Sequence, residues 1–113
     1  SQQMMEILKF VVKNGTGKNA AVEGFDVAGK TGTAQKYITK TKSYSKTEFV
    51  SSFIGYAPAD APRLVILVMI DNPKGVHWGS VVAAPVFREI AKKSLRYLNV
   101  PSSKERVFIL DRA

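Results

Sequence analysis

Lys30, Thr31 and Thr33 stand close together in the run Val27-Ala28-Gly29-Lys30-Thr31-Gly32-Thr33-Ala34-Gln35-Lys36. An ammonium group and two hydroxyls at that spacing can hold an anion by charge-assisted hydrogen bonds. β-Branched Val27, Thr31 and Thr33 alternate with small Ala28, Gly32 and Ala34, so the run reads as a strand. Alternation puts Thr31, Thr33 and Gln35 on one side and Lys30 and Gly32 on the other, and the glycines leave the backbone bare enough for a second chain to lie against it. Such a strand suits an extended peptide that ends in a carboxylate. A cation ~4 Å from a carboxylate is worth about 4 kcal/mol at an effective dielectric near ~20, before desolvation costs. The plain alternative is an edge strand that is merely rich in Gly and Thr.

G-K-T-G-T-A-Q-K resembles the third active-site motif of the penicillin-binding proteins, serine D,D-transpeptidases and carboxypeptidases that share their motif set with class A β-lactamases. The surroundings resemble the class B, cell-division or elongation type. Upstream stands Gly15-Thr16-Gly17-Lys18-Asn19-Ala20-Ala21. Downstream come Phe53-Ile54-Gly55-Tyr56-Ala57-Pro58, Asp71-Asn72-Pro73 and Ala83-Ala84-Pro85-Val86-Phe87. The resemblance runs from residue 15 to residue 87 and implies the C-terminal piece of a longer, α+β transpeptidase domain, residues 1–100, with a tail over 101–113.

Acyl transfer from a D-Ala-D-Ala stem peptide needs a nucleophile, a base, an oxyanion hole and a clamp for the terminal carboxylate. The resemblance implies that Lys30 and Thr33 are catalytic. The Thr33 N–H becomes an oxyanion donor, and Lys30 adds charge and reaches an S-x-N serine outside this chain. Thr31, Gly32, Thr33 and Gln35 become substrate-binding: the two threonine hydroxyls take the carboxylate of substrate or β-lactam, and Gly32 gives its backbone room. No cofactor is expected, and His77, the single histidine, has no neighbours in sequence that could complete a metal site. Ser43-Tyr44-Ser45-Lys46 fits the S-x-x-K pattern of the family's nucleophile, but it follows K-T-G instead of preceding it and lies in a segment with no helical pattern. It is rejected, and Lys36 is read as a surface residue.

The elements around the motif can be read from periodicity. Met4, Met5, Ile7, Leu8, Val11 and Val12 predict a helix over residues 2–13 with Lys9 and Lys13 on the other side and a left-handed stop at Asn14-Gly15. Residues 15–24 read as a loop. Strands are predicted at about 25–36, 49–57 and 64–71, in an antiparallel sheet of at least three strands, with residues 37–48 a polar, lysine-rich connection at the tip of a long hairpin. The wholly apolar Leu64 to Ile70 predicts a central strand buried on both faces. A last helix is expected from an N-cap at Ser80 to about Leu98, with Val82, Val86, Ile90 and Leu95 on its buried face. In the family, the strand matching Leu64 to Ile70 pairs on its far side with one contributed by residues before the nucleophile. That edge is therefore expected to seek a partner, which could be another polypeptide or the tail at Val107 to Leu110.

The 113 residues carry 17 Lys and Arg against 9 Asp and Glu, a net charge of +8. Taken alone, that charge permits a small basic module for nucleic acid or membrane, whose binding would collapse with salt. The lysines are spread, however, and the dense patch at Lys36, Lys40, Lys42 and Lys46 is interleaved with threonines and serines, which reads as a solvated loop and not as a nucleic-acid surface. A β-lactam sensor or a β-lactamase is the rival within the superfamily. The partners implied are the peptidoglycan stem peptide, β-lactams and the missing N-terminal part of the domain, in an extracytoplasmic setting whose membrane anchor lies outside this chain. The absence of cysteine is compatible with that setting. Because nucleophile and base are not expected here, a fluorescent penicillin should leave the 113-residue chain unlabelled on a denaturing gel. A covalent adduct mapping to Ser43 would overturn the rejection of that serine.

Overall fold

In the computed structural model, which describes residues 1–102, three antiparallel strands form one sheet in the order β1-β2-β3. The chain runs α1 (Gln2–Asn14), a 3-10 turn (Lys18–Ala20), β1 (Ala28–Ile38), β2 (Ser43–Ala57), β3 (Leu64–Asp71), α2 (Gly79–Val82) and α3 (Ala84–Tyr97). The α+β expectation holds. Thr31 lies beside Phe53, and Phe53 beside Val68, so one register fixes which residues share a face. On the inner face Phe53 is fully buried, and Ala84, Phe87, Ala91 and Leu95 of α3 close over it. The Phe53 and Phe87 rings stand 4.7 Å apart at 58°. Burying each ring is worth about 1.5–3 kcal/mol.

Two cross-strand glycines make that packing possible. Gly29 pairs with Gly55, and Phe53 lies over the gap they leave. A Cβ at Gly29 would come within 2.5 Å of Phe53 Cζ, and one at Gly55 within 2.8 Å of Phe87 Cζ and 2.9 Å of Ala28 O. On the other side of the motif strand, α1 packs along β1 and is tied down by Asp26, which takes Lys9 at 3.2 Å and Lys13 at 3.7 Å. A hydrogen bond to Asp26 raises the Lys9 pKa above its ordinary value. The stability this adds is complete below the ordinary lysine pKa of ~10.4 and is lost only as pH rises through the raised value.

The structure corrects several sequence-based expectations. Among the described residues β2, not β3, is the central strand, and Val65, Leu67 and Met69 of β3 are 72%, 56% and 63% exposed on the outer face. The apolar run fills only one face among the described residues, and the tail at Val107 to Leu110 lies outside them. The polar connection shrinks to a turn at residues 39–42, because Tyr37 pairs with Tyr44 and Ile38 with Ser43, extending both strands. Tyr37 and Tyr44 meet edge to face at 5.4 Å, the kind of aromatic cross-strand pair that holds a ribbon together. The N-terminal helix ends on an extended Gly15 (φ −108°), not a left-handed one. Its Met4 and Ile7 are exposed, while Lys9 is largely covered. The last helix is broken in two. Trp78, not Ser80, caps α2, and Pro85 opens α3 in its first turn, since proline has no N–H to continue the ladder. The buried face of α3 is Ala84, Phe87, Ala91 and Leu95, whereas Val86 and Ile90 are each 41% exposed.

Gly55→Ala should therefore cost about 1–3 kcal/mol of folding stability by overpacking, read from chemical denaturation. A change within about 0.5 kcal/mol, the scatter of ordinary surface substitutions, would show that the glycine pair does not set the packing.

Candidate active site

β1 is an edge strand, so one side of its backbone is open to a docked chain among the described residues. Backbone groups alternate along a strand as side chains do. Phe49 O accepts from Asn72 N on the β3 side of β2, so the even residues of β2 face β1, and Gly32 pairs with Ser52. Thr31 and Thr33 therefore turn their N–H and C=O groups to the free edge. Lys30 lies across that edge, its Nζ donating to Thr31 O at 3.2 Å and to Thr31 Oγ1 at 3.5 Å. The Thr33 hydroxyl accepts from the Gly79 N–H at 3.3 Å, which leaves its own proton free to donate. Ammonium, two hydroxyls and an outward N–H thus converge on one short stretch of strand.

Backbone fit against α2 holds this stretch in place. Gly79 presses on the β1–β2 ladder so closely that a Cβ there would lie 2.5 Å from Ser52 O and 2.9 Å from Gly32 O. The segment leading to Gly79 is fixed by the Ser51 hydroxyl donating to His77 O and by His77 stacking on Phe49 at 3.9 Å, nearly parallel at 4°. Trp78 stands 59% exposed beside it. A Cβ at Gly32 would meet only the Ser52 hydroxyl, at 2.7 Å, on the outer face of the sheet.

Lys30, Thr31, Gly32 and Thr33 fall together, and Gln35 is exposed further along the same strand. Lys36 does not join them. The register slips between Gln35 and Tyr37, and Lys36 reaches across β2 to Asp71 at 2.9 Å, whose carboxylate raises the lysine pKa. Ser43 lies at the start of β2 with its hydroxyl 2.8 Å from that of Thr41, so the helical turn that would bring Lys46 over it is missing. Among the described residues no group of three His, Cys, Asp or Glu could hold a metal, and no helix is long and apolar enough to cross a membrane. Sequence reasoning missed Thr16, whose Oγ1 lies 3.3 Å from that of Thr31, and Asn19, whose side-chain amide donates to Ser80 O at 2.7 Å. The two glycines flanking Thr16 were the available signal.

An antiparallel sheet under helices, with a lysine and two threonine hydroxyls brought together on an edge strand, defines an α+β protein. Residues 1–92 match the family model of the penicillin binding protein transpeptidase domain, and the chain belongs to that family. It is 48% identical over 108 residues to stage V sporulation protein D of Bacillus subtilis, covering 95% of this chain and 16% of that protein. It is 42% identical over 106 residues to the probable peptidoglycan D,D-transpeptidase PenA of Neisseria flavescens, covering 92% of this chain and 26% of the relative. Among solved structures, penicillin-binding protein 3 of Mycobacterium tuberculosis in complex with ampicillin superposes with a TM-score of 0.79 at 39% identity, over 90% of this chain and 25% of that one. The apo transpeptidase domain of Burkholderia pseudomallei penicillin-binding protein 3 gives 0.76 at 42% identity, over 88% and 30%. The chain thus spans between a sixth and about a quarter of those curated relatives.

Proposed function

We propose that this chain is one wall of the active site of a class B peptidoglycan D,D-transpeptidase, an extracytoplasmic enzyme that cross-links stem peptides through a serine acyl-enzyme and is acylated by β-lactams. The observation that carries the reading is the convergence of Lys30, Thr31, Thr33 and the outward Thr33 N–H on the free edge of β1. A peptide adding to that edge forms main-chain hydrogen bonds along it. The Thr31 and Thr33 hydroxyls and the Lys30 ammonium grip its terminal carboxylate, and the Thr33 N–H faces the carbonyl oxygen on which charge develops. Gly32 keeps the backbone accessible, and Gln35 meets the substrate further along. The serine nucleophile, its base and the S-x-N serine come from the rest of the domain.

The remainder of the domain would pack on β3, where Val65, Leu67 and Met69 leave an apolar outer face beside an edge with no strand partner among the described residues. On this reading residues 1–100, whose core includes Val100, are the domain's portion and 101–113 a tail beyond it. A β-lactamase of the same superfamily would release the acyl group rapidly, whereas the proposed synthase holds it.

In the full-length protein Thr33→Val keeps the β-branch and the oxyanion N–H but removes the hydroxyl. Penicillin acylation should slow by the worth of a charge-assisted hydrogen bond, roughly 1.5–3 kcal/mol, and Lys30→Ala should slow it further. Stopped-flow acylation at the unaltered rate in both variants would contradict the assignment.

A further inference from the structure

One loop touches the Thr31 hydroxyl directly and the turn that holds the Thr33 hydroxyl. Between α1 and β1 the chain turns tightly over the end of the helix, with the N–H groups of Gly15 and Gly17 both donating to Val11 O at 3.0 Å. Both positions are tight: a Cβ at Gly15 would sit 3.0 Å from Val11 O, and one at Gly17 would sit 3.2 Å from the same atom. Gly17 and Ala20 are buried, so the loop is anchored on both sides of Lys18 and Asn19. Thr16 projects from this anchored turn, its Oγ1 3.3 Å from Thr31 Oγ1. Three residues on, Asn19 donates to Ser80 O at 2.7 Å, and the adjoining Gly79 N–H is the group that donates to Thr33 Oγ1.

A hydroxyl carries one proton and two lone pairs, and only the proton can bind an anion. The Gly79 N–H occupies a lone pair of Thr33, and the Lys30 ammonium occupies one of Thr31. When Thr16 donates to the remaining lone pair of Thr31, the Thr31 proton has no acceptor in Thr16 and is left to donate to a ligand. We propose that Thr16 and Asn19 are positioning residues that preset Thr31 and Thr33 as donors to a ligand carboxylate, Thr16 directly and Asn19 by holding the Gly79–Ser80 turn against the strand. This rests on the reading that the two hydroxyls bind a carboxylate. It goes further by assigning the loop a role in selecting an anionic ligand over a neutral one.

The test compares benzylpenicillin with its methyl ester as acylating agents of the full-length protein and of its Thr16→Val, Thr16→Ser and Asn19→Ala variants. Thr16→Val should lower the second-order acylation rate with the free acid about five- to tenfold, the worth of one neutral hydrogen bond, while the rate with the ester stays within about twofold of wild type on the same grounds. The preference for the acid therefore narrows. Thr16→Ser, which keeps the hydroxyl, should retain the wild-type preference, and Asn19→Ala should narrow it in the same direction as Thr16→Val. Equal losses with acid and ester would assign the loop a purely structural role, and unchanged rates with both would remove it from the site; either result overturns the proposal. A wild-type protein with no preference for the acid would instead count against the carboxylate reading itself.

Discussion

The structure depends on Phe53 lying across the Gly29–Gly55 pair. Its ring fills the depression left by two missing side chains, is covered by Phe87, and is completely withdrawn from water. Sliding β1 by one residue against β2 would bring a side chain under the ring and turn every residue of the motif strand to the opposite face. Steric exclusion at a glycine pair thus fixes where Lys30, Thr31 and Thr33 stand. The same economy of atoms recurs at Gly79, where a helix turn rests directly on the ladder and gives its N–H to Thr33.

Charge is divided between support and site. Lys9 and Lys13 share the one charge of Asp26, and Lys36 pairs with Asp71, so these lysines bind the chain to itself. Lys30 makes no ion pair with any described residue; its partners are the carbonyl and hydroxyl of Thr31. A cation held by neutral oxygens beside two hydroxyls retains its full attraction for an incoming carboxylate. An ion-paired lysine would have to give up its partner first.

The motif strand was legible because its chemistry and its periodicity lie in the same ten residues. The strand at 64–71 was recognised but misplaced. Seven apolar residues in a row say that a strand is apolar on both faces, not whether both faces have yet met a partner. Residues 37–48 form the tip of a long hairpin, as their polarity and place between two strands predict, but the pairing continues to Ile38 and Ser43, because a two-stranded ribbon needs only cross-strand pairs such as Tyr37–Tyr44 and tolerates lysines on its solvated sides. Helical periodicity offered Val86 and Ile90 for the core, but the sheet took the Ala84, Phe87, Ala91 and Leu95 stripe, whose alanines allow α3 to approach the glycine pair. Thr16 and Asn19 stayed hidden for a topological reason. Their contacts span 15 and 61 residues of sequence, and only the closed fold brings them to the edge of β1.

On the proposed reading, the free edge of β1 is where an anionic ligand is gripped and its carbonyl polarised. The most direct measurement is a crystal structure of the full-length domain acylated by a penicillin. The ligand carboxylate should lie within hydrogen-bonding reach, about 2.5–3.0 Å, of both the Thr31 and Thr33 hydroxyls, and the ester carbonyl oxygen on the Thr33 N–H at about 2.7–3.1 Å. A well-ordered adduct whose carboxylate lies away from Thr31 and Thr33, or whose carbonyl oxygen is turned from the Thr33 N–H, would contradict it.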